Sequence, residues 1–487
     1  MMKTRKLVLC LCLSLMCDAY LQAKVRPNSI FSDHMVLQKG VPVSVWGTAD
    51  NNEKVTVKFN SQTETATTVN GKWLVKLKPM PYVTIPTQMT IAGKDTTVVI
   101  NDILVGEVWI CSGQSNMERQ LGPRPPQLPI YNWEKERDDA DYPLIREYYV
   151  PLKYSREKVA DANSKWSVCS PQTVPDFSAV GYFFARDLFK SLNVPVGILF
   201  TAHGGTPAED WTSLDALKVN PKLTPFVSKY DSIINLSWHP NGEVVSGLYN
   251  GMLYPIIPYS VKGVAWYQGE ANDSRAKDYP VVLSTMIQNW RTDFQNKNMP
   301  FLIVQIAPYK YLSPEIREAQ LKVVQSVKNT ALIVTTDCGM ATDIHPPQKQ
   351  PVGERLAKAA NVLAYGKNSE YSGPIYKSNK VKGDKIILKF THTGKGLIVK
   401  GSTELKGFQI AGSDKKFLPA VARIKGKTII VTNDNIKNPI AVHYGWSSVP
   451  AVNLFNQEGF PASPFRTDVV STRYVFHKFS NRKNLIN

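Results

Sequence analysis

The sequence predicts an α/β protein in which a parallel sheet is covered by helices and flanked by all-β, sandwich-like regions. Three observations point there. Residues 24–100 place apolar side chains at every second position, residues 101–365 alternate short apolar strands with helical stretches, and residues 366–487 return to short strands between Gly, Lys and Asn turns. With 487 residues the chain is long enough for about three domains at roughly 150 residues each. Hydrophobic residues at 43% and charged residues at 20% match globular proteins and exclude a disordered or fibrous chain.

The first residues read "MMKTRKLVLCLCLSLMCDAYLQAK": Lys3, Arg5 and Lys6, an apolar run from Leu7 to about Cys17, and the small Ala23. That order is a secretory signal, so residues 1–23 are expected to be removed and the mature chain exported to a periplasm or beyond. Lipidation at Cys17 is the weaker alternative, because "SLM" lacks the small residue expected at such a junction. The run falls short of the roughly 20 residues that span a bilayer, and no later stretch is long and apolar enough, so no transmembrane segment is expected. Cys111, Cys169 and Cys338 remain after the leader; three scattered cysteines make neither a disulfide scaffold nor a zinc pattern. The formal charge of +18 is dispersed, with short clusters only at 377–385 and 477–483. A solvated basic surface is expected, and export argues against a nucleic-acid partner.

Each element follows from local pattern. "VPVSVWGTA", "KVTVKFN" and "TETATTVNGKWLVKL" alternate with period two, and Asn70-Gly71 is a hairpin turn. "ILVGEVWIC" (103–111) is a continuous apolar run, as for a strand buried on both faces. In "SAVGYFFARDLFKSL" (178–192) Ser178 is a helix N-cap, and Val180, Phe183, Phe184 and Leu188 fall at helical spacing. Strands "VPVGILFT", "KGVAWYQ", "PFLIVQIA" and "TALIVTT" follow, with helices "YPVVLSTMIQNWRTDF", "PEIREAQLKVVQSV" and "VGERLAKAANVLAYG". Strand, crossover and strand repeated is the pattern of a parallel sheet. The late "NLFNQEGFPASPFRTD" (453–468) is turn-rich and expected to fold back onto the α/β region.

Four polar clusters fall just after strands: Ser115 in "CSGQSNME", "HGGTPAEDW" (203–211), "QGEAND" (268–273) and "DIHP" (343–346). In open parallel sheets sites lie outside the carboxyl ends of the strands, so the four are expected to share one crevice. Acyl transfer needs a nucleophile, a base and oxyanion donors. Ser115 can attack, His345 can take its proton and Asp343 can orient the imidazole. Backbone N–H groups at Ser115 and in the Gly204-Gly205 turn, with the Gln268 amide, can donate to the oxyanion. Each residue alone also has an ordinary reading: a serine in "GQSN" as a turn, His345 before Pro346 as a surface loop, Gln268 and Glu270 as partners of buried backbone. Their joint occurrence after four strands favours chemistry. Carboxylates at Glu209, Asp210, Glu270 and Asp273 are a poor basis for glycoside hydrolysis, which needs two carboxyls facing across a substrate. Seven histidines without H-E-x-x-H give no metal site, and neither metal nor cofactor is expected. Among the aromatics, Trp211 sits in a loop after the Gly turn and is the candidate for stacking on a sugar, ahead of Trp266 and Tyr267.

"WICSGQSNM", "HGGTPAEDW", "AWYQGEAN" and "DIHPPQKQPVGERLA", in that order, resemble the sialate O-acetylesterase type of SGNH hydrolase, and the likeness runs from about residue 25 to 475. The resemblance implies an SGNH-like sheet with Ser115 as nucleophile, His345 as general base, Asp343 as its partner, and Gly205 and Gln268 among the oxyanion donors. The broader SGNH pattern separates Asp from His by two residues and carries an Asn in its third block. Here one residue separates Asp343 from His345, and Gln268 stands where the Asn would. Glu270 is thus a rival partner for His345, and Asn272 a rival donor. The implied function is an exported serine esterase that removes O-acetyl groups from carbohydrates through an acetyl-enzyme, sialic acids first, with acetylated xylan or another plant polysaccharide as the alternative. A glycan-binding protein without turnover is the reading of a different class.

Overall fold

The computed structural model describes residues 24–225, 227–228 and 245–468; the leader and the basic cluster at 477–483 lie outside them. Eight strands occupy the N-terminal part: β1 (Arg26–Pro27), β2 (Val36–Gln38), β3 (Val43–Thr48), β4 (Lys54–Phe59), β5 (Gln62–Thr67), β6 (Lys72–Leu77), β7 (Val83–Ala92) and β8 (Thr97–Gly113). Burial alternates residue by residue in β4 and β6, as the period-two text requires. Strands β1, β3 and β6 form one antiparallel sheet, while β4 pairs with β5 and β7, and β7 with β8. Between β5 and β6, Asn70 and Gly71 both take positive φ, and Val69 and Lys72 exchange backbone bonds across the turn.

The middle region carries α1 (Ser115–Glu118), α2 (Trp133–Asp138), β9 (Tyr142–Tyr149), β10 (Trp166–Cys169), α3 (Ala179–Leu192), β11 (Val196–Ala202), α4 (Leu214–Val219), β12 (Gly263–Tyr267), α5 (Tyr279–Asp293), β13 (Phe301–Val304), α6 (Pro314–Ser326), β14 (Thr330–Ile333) and α7 (Gln350–Leu363). Its strands run in the order β10-β9-β11-β8-β12-β13-β14. The sheet is mixed: each neighbouring pair from β9 to β14 is parallel, and β10 is an antiparallel edge that the sequence did not announce. Ser178 caps α3 by accepting from the N–H of Gly181 at 3.1 Å.

Both faces of the sheet are covered. Val108 and Ile110 of β8 pack in one core with Val282 and Met286 of α5 and Ile316 and Val323 of α6. Trp109 and Cys111, on the other face, pack with Phe183, Phe184 and Leu188 of α3 and Val352, Leu356 and Ala360 of α7. Two-sided burial is why this stretch reads as an unbroken apolar run.

Strand β8 joins the two regions. Its first half pairs with β7, and Trp109–Gly113 lies between β11 and β12, so the expected boundary near residue 100 falls inside one continuous strand. The change of text there marks the covering of the strand's second face: burial alternates up to Asp102 and is complete from Ile103. Asp102 takes φ +53° at this point, and Arg146 holds its carboxylate at 2.8 and 3.2 Å.

The C-terminal part has its own core, including Ile386, Leu388, Phe408, Ile410, Val431 and Tyr444, between two four-stranded antiparallel sheets. Residues 453–468 return to the α/β region: Gln305 donates to Ser463 Oγ at 3.0 Å, and Arg466 pairs with Glu318 of α6 at 3.0 Å through both carboxylate oxygens. Cys111, Cys169 and Cys338 are buried and unbridged. Among the described residues no helix is long and apolar enough to cross a membrane.

Candidate active site

Ser115 stands where β8 ends. Gly113 takes φ +138° against β12, and a Cβ there would lie 2.1 Å from the carbonyl oxygen of Tyr267, so only glycine permits this close approach. The N–H of Gln114 donates to that same oxygen at 3.0 Å, and Gln114 Oε1 accepts from the N–H of Ala271 at 3.2 Å. Ser115 then opens α1, half-buried, and its Oγ has no hydrogen-bond partner among the described residues. The turn after β11 lies beside it: a Cβ on Gly204 would be 3.2 Å from Ser115 Cβ. The N–H of Gly204 donates to Glu118 at 2.8 Å, and Arg124 pairs with the same carboxylate at 3.1 Å. Gly205 is exposed with φ +75° and open space where a Cβ would go, so its requirement for glycine is conformational.

His345 lies on the segment after β14. Asp343 Oδ1 accepts from the backbone N–H of His345 at 2.8 Å and stands 3.9 Å from its Nδ1, within ion-pair range and beyond a hydrogen bond. Gln127 Nε2 is 3.5 Å from the same nitrogen. Burial holds the imidazole below its usual pKa, the Lys349 ammonium adds to this, and Asp343 opposes it. The balance favours the neutral imidazole that a general base requires.

A buried network beneath ties the segments together. Asn116 Nδ2 donates to the carbonyl of Ile344 at 3.0 Å and to Glu270 Oε1 at 2.7 Å, and Lys349 Nζ donates to Asn116 Oδ1 at 2.5 Å. Lys349 is only 1% exposed, and its Nζ sits 5.6 Å from the centroid of the Tyr267 ring. Burial pulls its pKa down to about 7 against the pull of Glu270, and burial likewise raises Glu270. Segments following β8, β12 and β14 thus meet at one amide.

Four residues read from the sequence occupy other roles. Gln268 is fully buried and its amide hydrogens are spent on the carbonyl of Thr206 at 3.1 Å and Asn272 Oδ1 at 2.7 Å, leaving none for an oxyanion. Asn272, its rival, is buried too; it accepts from the N–H of Ala208 and donates to Glu209, both at 2.9 Å. Glu270 bonds Asn116 rather than His345. Trp211 is 0% exposed, edge-on to Trp266 at 6.2 Å, with its Nε1 on Thr206 Oγ1 at 3.0 Å. The chain after the Gly turn dives into the core, so a loop position did not mean a surface one. Conversely, the structure adds Asn116 and Lys349 to the site. The amide beside Ser115 was visible in "QSNM", whereas a lysine just before a helix reads as solvated.

Residues 105–361 match the family model described as carbohydrate esterase, sialic acid-specific acetylesterase. The chain belongs to this family. Sialate O-acetylesterase of Rattus norvegicus is 31% identical, with 87% of this chain and 89% of the rat protein covered. That of Homo sapiens is 30% identical, with 90% and 91% covered. The crystal structure of a carbohydrate acetylesterase from Xanthomonas citri superposes with a TM-score of 0.84 at 35% identity, covering 92% of this chain and all of the other.

Proposed function

We propose that the protein is an exported carbohydrate acetylesterase that removes O-acetyl groups from sialic acids through an acetyl-enzyme on Ser115. The observation that carries this reading is the bond from Asn116 to the carbonyl of Ile344, which links the residue after Ser115 to the residue before His345. Family membership supports the substrate class, and the order of charged, apolar and small residues in the leader supports export.

In this reading Ser115 Oγ attacks the acetyl carbonyl carbon and passes its proton to the neutral His345. The N–H groups of Ser115 and Gly205, which have no acceptor among the described residues, receive the oxyanion. Collapse breaks the bond to the sugar oxygen, which takes the proton from His345. Water, deprotonated by His345, then attacks the acetyl carbonyl carbon; collapse breaks its bond to Ser115 Oγ, which takes the proton back from His345, and acetate leaves. Asp343 steadies the imidazolium; its 3.9 Å spacing from Nδ1 shortens as substrate binds, as catalytic hydrogen bonds commonly do.

Acetate release from an O-acetylated sialic acid and from an acetylated xylan oligosaccharide is the test. Wild type is expected to prefer the first, and folded Ser115→Ala to lose on the order of 10⁶-fold in kcat. Undiminished release in the variant would remove Ser115 from the chemistry, a preference for xylan would reassign the substrate, and glycan binding without release from wild type would make this a binding protein.

A further inference from the structure

Residues 305–313 follow β13, whose carboxyl end lies on the same edge of the sheet as those of β8, β11, β12 and β14. This segment bears an unusual surface. Tyr311 is 72% exposed, among the most exposed large hydrophobic side chains of the described residues. Tyr309, packed on the core, meets it edge-on at 5.4 Å, and Lys310 holds its ammonium 4.7 Å from the Tyr311 ring centroid. No carboxylate pairs with Lys310 among the described residues.

The tip is tied on both sides to segments that carry site residues. The N–H of Lys310 donates to the carbonyl of Ala341 at 3.2 Å, two residues before Asp343. At the other end Ser313 places its N–H and its hydroxyl on Asp273 Oδ1, at 2.9 and 2.6 Å, and Asp273 belongs to the segment of Glu270 and Asn272. Leu312 is buried beneath. An exposed aromatic ring is thus carried on a segment tied to those of Asp343 and Glu270, with a cation against it that meets no carboxylate among the described residues.

We propose that Tyr309, Lys310 and Tyr311 form the sugar-binding platform of the site: the pyranose of an acetylated sialic acid lies on the face of Tyr311, and its carboxylate meets Lys310. This rests on the acetylesterase reading and adds the residues that choose the sugar. A tyrosine face supplies apolar area to the ring's C–H surface, and a cation at the rim favours an anionic sugar over a neutral one. Trp211, buried, has no part in it.

The test compares wild type, Tyr311→Ala, Tyr311→Phe and Lys310→Gln on three esters: O-acetylated N-acetylneuraminic acid, its carboxyl methyl ester, and 4-nitrophenyl acetate, which has no sugar. Ile85→Ala, at an equally exposed residue of the N-terminal part, is the surface control. Tyr311→Ala is expected to raise KM for the acetylated sialic acid about fivefold with kcat little changed, a loss well above that on 4-nitrophenyl acetate, and Tyr311→Phe to restore it. Lys310→Gln is expected to raise KM about threefold for the free acid and less for the methyl ester. Equal losses on the sugar and non-sugar esters, or an unmoved KM, overturn the platform. Saturation-transfer NMR of N-acetylneuraminic acid on Ser115→Ala protein, with and without Tyr311→Ala, reads binding independently of acetate release. A sugar signal weakened severalfold by Tyr311→Ala upholds the platform even where the chemistry fails, and a signal of unchanged strength overturns it even where the chemistry holds.

Discussion

Asn116, the residue after Ser115, donates its side-chain N–H to the carbonyl of Ile344, the residue before His345, at 3.0 Å. A proposed nucleophile and its proposed base, 230 positions apart in the chain, are thereby placed by one amide, whose oxygen is held by Lys349 and whose nitrogen also reaches Glu270. The orientation of that amide is forced, because its oxygen can only accept and its nitrogen only donate.

Asn116→Ala removes the tie and leaves Lys349 and Glu270 facing each other unbridged. kcat for acetate release is expected to fall about 10²-fold with a smaller change in KM, as for a reacting pair displaced by about an ångström. Steady-state kinetics on folded protein checks this; an unchanged kcat would mean the bond only packs.

Lys349 acts on the acid side of the pH profile. Its ammonium is among the causes that depress the His345 pKa, after burial, so Lys349→Met is expected to raise that pKa and move the acidic limb of kcat/KM to higher pH. A limb that stays in place, measured from pH 4 to 8, would show that Lys349 has no hold on the imidazole.

Glu147 on β9 offers a test away from the site. Buried, with Oε2 unpartnered, its carboxyl is raised to about 8 by burial. A folded-state pKa above the unfolded one means that its stability is fully present below about pH 4.5 and is lost as pH rises to about 8, at roughly 1.4 kcal/mol per pH unit. Glu147→Gln keeps a neutral group at every pH. The difference in urea midpoint between variant and wild type is expected to grow in the variant's favour from pH 5 to 8.

Trp211 is expected to behave as core. Trp211→Ala should cost about 3–5 kcal/mol in chemical denaturation. Were the folded variant instead fully stable but altered in KM, the burial of this ring would have been misassigned.

The parts of the fold that were legible were those where one local force decides. Ser178 caps α3, Asn70-Gly71 turns the hairpin, and the all-apolar 103–111 run marks a strand covered on both faces. The positions of Ser115 and His345 after strand ends followed from the same logic. What was not legible depends on partners distant in sequence. Gln268 and Asn272 carry the right chemistry, yet their donors are spent on Thr206 and Glu209, which no spacing discloses. Lys349 is charged by type and buried by context, and the exposure of a single tyrosine such as Tyr311 leaves no pattern in a sequence.

The continuity of β8 bears on how the enzyme could have been assembled or taken apart. Thr97–Val105 pairs with the N-terminal strands and Glu107–Gly113 is the centre of the α/β sheet, so Ser115 sits at the tip of a beam whose other end is embedded in the first hundred residues. Those residues are accordingly no detachable cassette: severing the chain at residue 101 would uncover the apolar row that β2 and β7 protect, and the loss would register at the tip as disordered chemistry rather than as a missing accessory.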